Sequence, residues 1–340
     1  MKISFIIPVY NCKRFLPYCV TSIRTAGIPD YEILLIDDGS TDSSGVLCDE
    51  LATTYPEICV VHQPNTGVSA ARNRGIREAS GELLLFMDAD DSIEPKLLSN
   101  VLSDSRCAES DLTIFGLAFD YYKNGNCYRR DPLFYPTDAV LDSQNWGKEF
   151  RVLFAKNSLS PVWNKVYRKD ILQQYHLLFN EGMFLYEDLE FVLRYMQHCD
   201  QIWNVPKAIY HYRQSEDEGN AKRRLMRIDH LPPFLQPIES ALEGLLTVNP
   251  AIDEPQIQNI LHQLYLVLAR EKISVSDLAG IRTICKDYAN WSQGRVFSIE
   301  SSPFYKNLKE EKALRLLLAA KKSALRHKVA VWVKSHLYKI

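Results

Sequence analysis

The 340-residue chain lacks the features that define several large classes of protein. None of its 8 cysteines (Cys12, Cys19, Cys48, Cys59, Cys107, Cys127, Cys199 and Cys285) falls in a Cys-x-x-Cys pair. That excludes the usual spacing of a structural zinc site or a thioredoxin-like centre. Several of them lie in apolar periodic runs and read as small core residues, which suits a reducing compartment. There is no excess of one charge sign: the formal net charge is -2, so the molecule as a whole carries no pull toward nucleic acid. No uninterrupted apolar run approaches the ~20 residues of a membrane-spanning helix. No leader-like segment comes before the first apolar run, so the expected setting is cytoplasmic. Internal repeats and low-complexity tracts are also missing. What is present is 46% hydrophobic and 24% charged residues, the make-up of a globular protein.

The first hundred residues alternate between two periodicities. Ile3–Val9 is a short apolar run and reads as a buried strand. Residues 14–25 carry Phe15, Cys19 and Ile23 at helical spacing. A second run, residues 32–36, ends in Asp37-Asp38-Gly39-Ser40. A helix is expected to start around Thr41-Asp42-Ser43-Ser44, with Asp42 as its cap, and to run to about Tyr55. Residues 58–62 predict a third strand, 67–80 a helix and 82–87 a fourth strand that stops at Asp88. Strands alternating with helices imply βαβ units and a mostly parallel sheet. Such sheets bind ligands beyond the carboxyl ends of their strands. Three polar clusters stand at those ends: Pro8-Val9-Tyr10-Asn11, Asp37-Asp38-Gly39-Ser40 and Asp88-Ala89-Asp90-Asp91. One Asp-Asp-Gly alone is more often a turn. Three clusters on one edge mark a site.

Residues 111–215 mix strand-like runs (112–119 and 202–212) with a helical one (188–196), and continue the same domain. From about Ala221 the pattern is helical, broken by Pro232-Pro233, Pro250 and Pro255. The expected division is therefore an α/β domain over 1–220 and a helical region over 221–340.

Asp88 and Asp90, two residues apart at a strand end, can face one cavity and share a hard divalent cation. Mg²⁺ and its like prefer oxygen ligands and keep substrate phosphates in their shell. The plain alternative is an acidic helix N-terminus. The apolar run Leu83-Leu84-Leu85-Phe86-Met87 leading straight into the acids favours the metal.

At this point the chain resembles the family 2 glycosyltransferases of the GT-A fold. The resemblance runs through Ile6-Ile7-Pro8-Val9-Tyr10-Asn11, Leu35-Ile36-Asp37-Asp38-Gly39-Ser40-Thr41-Asp42, Asn65-Thr66-Gly67-Val68-Ser69-Ala70-Ala71-Arg72-Asn73-Arg74-Gly75 and Phe86-Met87-Asp88-Ala89-Asp90-Asp91. It continues more thinly through Trp163-Asn164-Lys165, Glu187-Asp188 and Tyr210-His211-Tyr212-Arg213. It implies a Rossmann-like, mostly parallel central sheet with a nucleotide-binding half (1–105) and an acceptor-side half (106–220).

The resemblance also implies roles. Pro8 and Tyr10 would line the pocket for base and ribose, and Asp38 would accept from the imide of the base. Asn65, Gly67 and Ser69 would shape the loop before Arg72, which would reach the donor diphosphate. Asp90 would bind Mg²⁺ or Mn²⁺, and Asp88 would approach both the ribose and the metal shell. Asp91 is assigned to the acceptor side or to structure. Inverting transfer needs a general base for the acceptor hydroxyl and a cation for the leaving diphosphate. The resemblance gives Asp188 the role of base, with Glu187 beside it. Acids in the first turn of a helix are the alternative for that pair. Many relatives carry glycine where this chain has Tyr186, which puts the acceptor-loop geometry in question. Trp163 and Lys165 are expected on the acceptor side, though Trp163 reads equally well as core. His211 reads as structural or as a neighbour of the metal.

Residues 303–340 hold ten Lys and Arg against Glu310 and Glu311, with Leu, Val and Trp332 at helical spacing. Such a helix suits an anionic membrane surface, or packs on the domain with a solvated basic face. The expected activity is transfer of a sugar from a nucleotide-sugar, a UDP-sugar above all, to a glycan or lipid-linked acceptor in surface polysaccharide assembly. Two rivals stand beside it. A sugar-nucleotide nucleotidyltransferase would carry a glycine-rich basic loop where this chain has Pro8-Val9-Tyr10-Asn11-Cys12. A catalytically silent binding subunit would not need both acidic clusters.

Overall fold

A computed structural model describes residues 1–155, 159–215 and 231–258, together with 260, 261, 264 and 290. The chain forms two compact units, one of Met1–Gly219 with Thr247–Ala251 and one of Asn220–Leu246 with Ile252–Ile340. The basic segment 303–340 lies outside the described residues.

In the first unit the strands β1 (Ile3–Val9), β2 (Tyr31–Asp38), β3 (Ile58–Gln63) and β4 (Leu83–Phe86) follow the apolar runs of the sequence. They lie in the order β3-β2-β1-β4 and run parallel, with Ile3 opposite both Tyr31 and Leu83. The helices between them are α1 (Leu16–Arg24), α2 (Ser44–Thr54) and α3 (Val68–Glu78). Each begins where its residues allow. Pro17 stands in the first turn of α1, where a missing N–H costs nothing. Asp42 accepts from the Ser44 N–H at 2.8 Å at the entry to α2. β1, β2 and β4 are buried along almost their whole length, so they read as apolar runs rather than alternations.

Beyond β4 the sheet becomes mixed. A short β5 (Ser92–Ile93) leads into α4 (Pro95–Ser103) and α5 (Ser105–Glu109), and then into the long β6 (Leu112–Lys123). β7 (Asn126–Leu133) folds back on β6 through the two-residue turn Asn124-Gly125, where both φ angles are positive (50° and 79°). β8 (Ala139–Asp142), α6 (Ser143–Ala155), β9 (Lys165–Arg168), α7 (Lys169–Gln174), α8 (Glu187–Met196) and β10 (Gln201–Ser215) follow. The full order is β3-β2-β1-β4-β9-β6-β10-β5, with β7 on β6 and β8 on β10. β10 runs parallel to β6, while β9 runs antiparallel to both β4 and β6. The expected parallel arrangement therefore describes the first four strands, and the later half inserts antiparallel ones.

A cluster of rings supports the carboxyl end of β4. Phe86 meets Tyr167, Phe179 and Phe191 edge-on at 5.5, 5.2 and 5.9 Å, and Phe179 stacks on Phe191 at 3.9 Å. Pairs of this kind add about 0.5–1.5 kcal/mol each beyond the area they bury. This floor joins β4, β9, the 175–186 segment and α8 just beneath Asp88. Cys19, Cys48, Cys107 and Cys199 are buried thiols, and no described cysteine is in a disulfide.

α9 (Leu231–Val248), whose residues up to Leu246 belong to the second unit, buries Leu235, Ile238, Ala241, Leu242 and Leu245, one helical stripe. No described helix is long and apolar enough to cross a membrane.

Candidate active site

Three loops meet at the carboxyl ends of β1, β2 and β4. Asn11 ties the first two together. Its backbone takes a left-handed conformation (φ 52°), which Asn tolerates better than most residues. Its Oδ1 then accepts from the N–H groups of Thr41 and Asp42 at 2.8 and 3.2 Å. The buried Asp38 fastens the third segment. Its two oxygens accept from Thr66 N–H and Gly67 N–H at 2.9 Å each, and Gln63 Nε2 donates at 2.8 Å. The residue expected to read a base thus also clamps the loop leading to Arg72. Gly39 has φ +69°, and a Cβ there would stand 2.7 Å from Asn65 N, so the chain needs glycine at this crossing. Tyr10 and Asn65 are exposed at the rim, and Pro8 is half-buried in β1.

Asp88, Asp90 and Asp91 form the turn after β4. One ligand oxygen from each lies within 4.8 Å of the others. The donor set is all carboxylate, which matches a hard divalent cation. The three differ in setting. Asp88 and Asp90 are half-buried, while Asp91 is buried, and both its oxygens are engaged by Tyr210 Oη (2.7 Å) and Arg213 N–H (2.8 Å). Burial and then the charges of Asp90 and Asp88 push its carboxyl well up, against those two hydrogen bonds. Asp91 is thus anchored to β10, and Asp88 and Asp90 are the more open pair.

α8 starts at Glu187, so Glu187 and Asp188 stand in its first turn, where the helix dipole favours acids. The helix-terminus explanation is therefore true of them. It is incomplete, because Asp188 Oδ1 also accepts from Arg72 Nη1 at 2.6 Å across 116 residues of sequence. Arg72 Nη2 reaches Asp88 Oδ1 at 3.2 Å, and Nη1 lies 3.8 Å from Glu187 Oε1. Burial raises Asp188 while Arg72 opposes, with a net upward shift. Burial and Asp188 push Glu187 up to about 7. Tyr186, just before the pair, is left-handed at φ 59°.

Two expected acceptor-side residues are found elsewhere. Lys165 is wholly buried, and its ammonium donates to Pro161 O and Asn164 Oδ1. It does not line a cleft: this expectation is corrected by its place at the start of β9, inside the core. Burial pulls its ammonium well down, against Asp188. Trp163 is 7% exposed and stacks on Tyr210 (4.0 Å) and Tyr212 (5.4 Å), so it buttresses the site more than it lines it. His211 meets Asp120 at 3.1 Å, and Arg130 holds the same carboxylate at 2.6 Å. It is structural. Sequence reasoning placed Asn11 and Tyr210 in its motifs without a role for either, and missed the clamp made by Asp38.

Residues 4–175 match the family model described as "Glycosyl transferase family 2", and the chain belongs to that family. Among curated relatives, the uncharacterized glycosyltransferase EpsJ of Bacillus subtilis is 28% identical over 213 residues, 63% of this chain and 61% of EpsJ. The minor teichoic acid biosynthesis protein GgaB of the same organism is 29% identical over 228 residues, 64% of this chain and 23% of GgaB. The chain therefore spans less than two thirds of the length of either. Among solved structures, residues 1–349 of TarS from S. aureus in complex with UDP-GlcNAc superimpose with a TM-score of 0.70 at 19% identity, covering 95% of this chain and 92% of that one. At that identity the likeness speaks for the fold, which is GT-A.

Proposed function

We propose that the chain is an inverting glycosyltransferase that moves a sugar from a UDP-sugar to a glycan or lipid-linked acceptor in surface polysaccharide assembly, in a cytoplasmic setting. The observation that carries this reading is the meeting of two acidic groups: the open pair Asp88 and Asp90 at the end of β4, and Asp188 at the start of α8, linked through Arg72. A UDP-sugar as donor and a surface polymer as product are supported by the names of a structural neighbour and a relative.

Asp88 and Asp90 would hold Mg²⁺ or Mn²⁺, which would neutralise charge on the leaving diphosphate. Tyr10 and the loop clamped by Asp38 would frame the nucleotide. Asp188 takes the proton of the acceptor hydroxyl. The hydroxyl oxygen bonds to the anomeric carbon from the face opposite the diphosphate, and the bond to the diphosphate oxygen breaks with its electron pair. A carboxylate raised by burial is a stronger base than a solvated one, and the catalytic optimum lies near the working pH. Glu187, at about 7, is part protonated at neutral pH, which limits the repulsion between the paired acids.

Isothermal titration with UDP, with and without Mn²⁺, tests the reading. Metal-dependent binding that disappears in Asp90→Ala supports it. Absent or metal-independent binding overturns it. A hydrolysis screen across UDP-, GDP- and dTDP-sugars then identifies the donor.

A further inference from the structure

Arg72 is more enclosed than a diphosphate ligand should be. Its side chain is 4% exposed. Nη1 is taken by Asp188 at 2.6 Å and Nη2 by Asp88 at 3.2 Å. The Phe179 ring lies 5.3 Å from its Cζ. That ring is fixed from the same helical turn. Asn73 Oδ1 accepts from Phe179 N–H at 2.7 Å and Asn73 Nδ2 donates to Phe179 O at 3.0 Å. Nε is buried without a partner, little guanidinium surface is exposed, and the shorter of the two bonds goes to Asp188, the second residue of α8.

We infer that Arg72 is a positioning residue for Asp188, fixing the orientation of its carboxylate, rather than a ligand of the donor diphosphate. This rests on the reading of Asp188 as the base. Asp188 is the second residue of α8. Its carboxylate takes a backbone hydrogen bond from Val162 and one N–H of the permanent Arg72 cation, and the latter is its one charged hydrogen-bond partner among those described. A second cation near Asp188, Lys165, already gives its ammonium to Pro161 O and Asn164 Oδ1. The contact of Arg72 with Asp88 is the longer one, at 3.2 Å, and Asp88 is held independently by its backbone N–H on Tyr210 Oη.

The test compares Arg72→Lys, Arg72→Ala, Asp188→Asn and the double variant Arg72→Lys/Asp188→Asn. Two quantities are read: the affinity for UDP with Mn²⁺, and turnover of the UDP-sugar that the wild type hydrolyses. UDP affinity should stay within about threefold of wild type in every variant. Turnover should fall about 100-fold in Arg72→Ala and Asp188→Asn, and less in Arg72→Lys. The double variant should be no slower than Asp188→Asn alone, because residues acting through one another are not additive. A loss of UDP affinity of about tenfold or more in either Arg72 variant, or losses that multiply in the double variant, overturns the inference. Should Arg72→Ala fail to fold, Arg72→Lys and the cycle decide alone. Wild-type binding of UDP tests the donor reading separately, since the Arg72 arms are measured relative to it.

Discussion

The Tyr210 hydroxyl joins the two ends of the acidic turn: it donates to Asp91 Oδ2 at 2.7 Å and accepts from the Asp88 N–H at 3.0 Å. Trp163 stacked on its ring keeps it there. The metal-ligand candidates Asp88 and Asp90 therefore owe their place to a strand more than a hundred residues away.

Tyr210→Phe leaves the buried Asp91 carboxylate with one donor fewer and the Asp88 N–H without its acceptor. Groups stranded in this way cost about 1–3 kcal/mol. The expected result is a melting temperature lower by several degrees, with weaker Mn²⁺-dependent UDP binding. Thermal unfolding and calorimetry of the variant measure both.

Gly39→Ala meets two obstacles at once, a left-handed φ and the Asn65 backbone 2.7 Å from the new methyl. The loop carrying Asn65 must move away from β2. Strain of this kind costs about 1–3 kcal/mol. UDP affinity is expected to fall and the melting temperature to drop by several degrees. Gly67→Ala has no such neighbour and tests whether backbone angle alone produces the effect.

Glu187 gives the fold a pH dependence of known sign. Its carboxyl rises from 4.5 to about 7 in the folded chain, so the folded state binds its proton more tightly than the unfolded chain does. Stability from this group is full below pH 4.5 and is lost as pH rises toward 7. Glu187→Gln should flatten that part of the profile. Urea unfolding of both proteins at pH 5 and pH 7.5 measures it, and an unchanged difference between the two pH values would count against the assignment. Glu32 acts in a separate window. Burial raises it, but Ser4, Ser80 and Lys2 outweigh burial and bring it to about 2, so its contribution is lost only as pH falls below 4.5.

Tyr186 holds a left-handed backbone without glycine's freedom. Tyr186→Gly should change stability by less than about 1 kcal/mol, since relief of strain offsets the entropy of glycine in the unfolded chain. Tyr186→Val, β-branched in the same conformation, should cost about 1–3 kcal/mol. Chemical denaturation of the pair gives the ordering, and the reverse order would overturn the strain argument.

What the sequence made legible follows distance along the chain. The run into Asp88 and the alternation of the first hundred residues are local signals, and the four parallel strands appear where they pointed. The Asn124-Gly125 turn that makes the β6–β7 ribbon is a local signal too, but it went unread, and the ribbon was not expected. The Arg72–Asp188 bond and the Tyr210 bridge join residues 116 and 119 positions apart, and no periodicity encodes them. Lys165 misled because charge suggests a surface. Two nearby oxygens were enough to hold its ammonium inside the core.

Arg72 and Asn73 are neighbours on α3. Arg72 grips Asp188 at the far end of the 179–188 segment, and Asn73 grips Phe179 and Glu181 at the near end. The segment between them, Gly182 to Tyr186, is thus held at both ends by two adjacent residues of one helix, so a shift of α3 would carry both ends of it together.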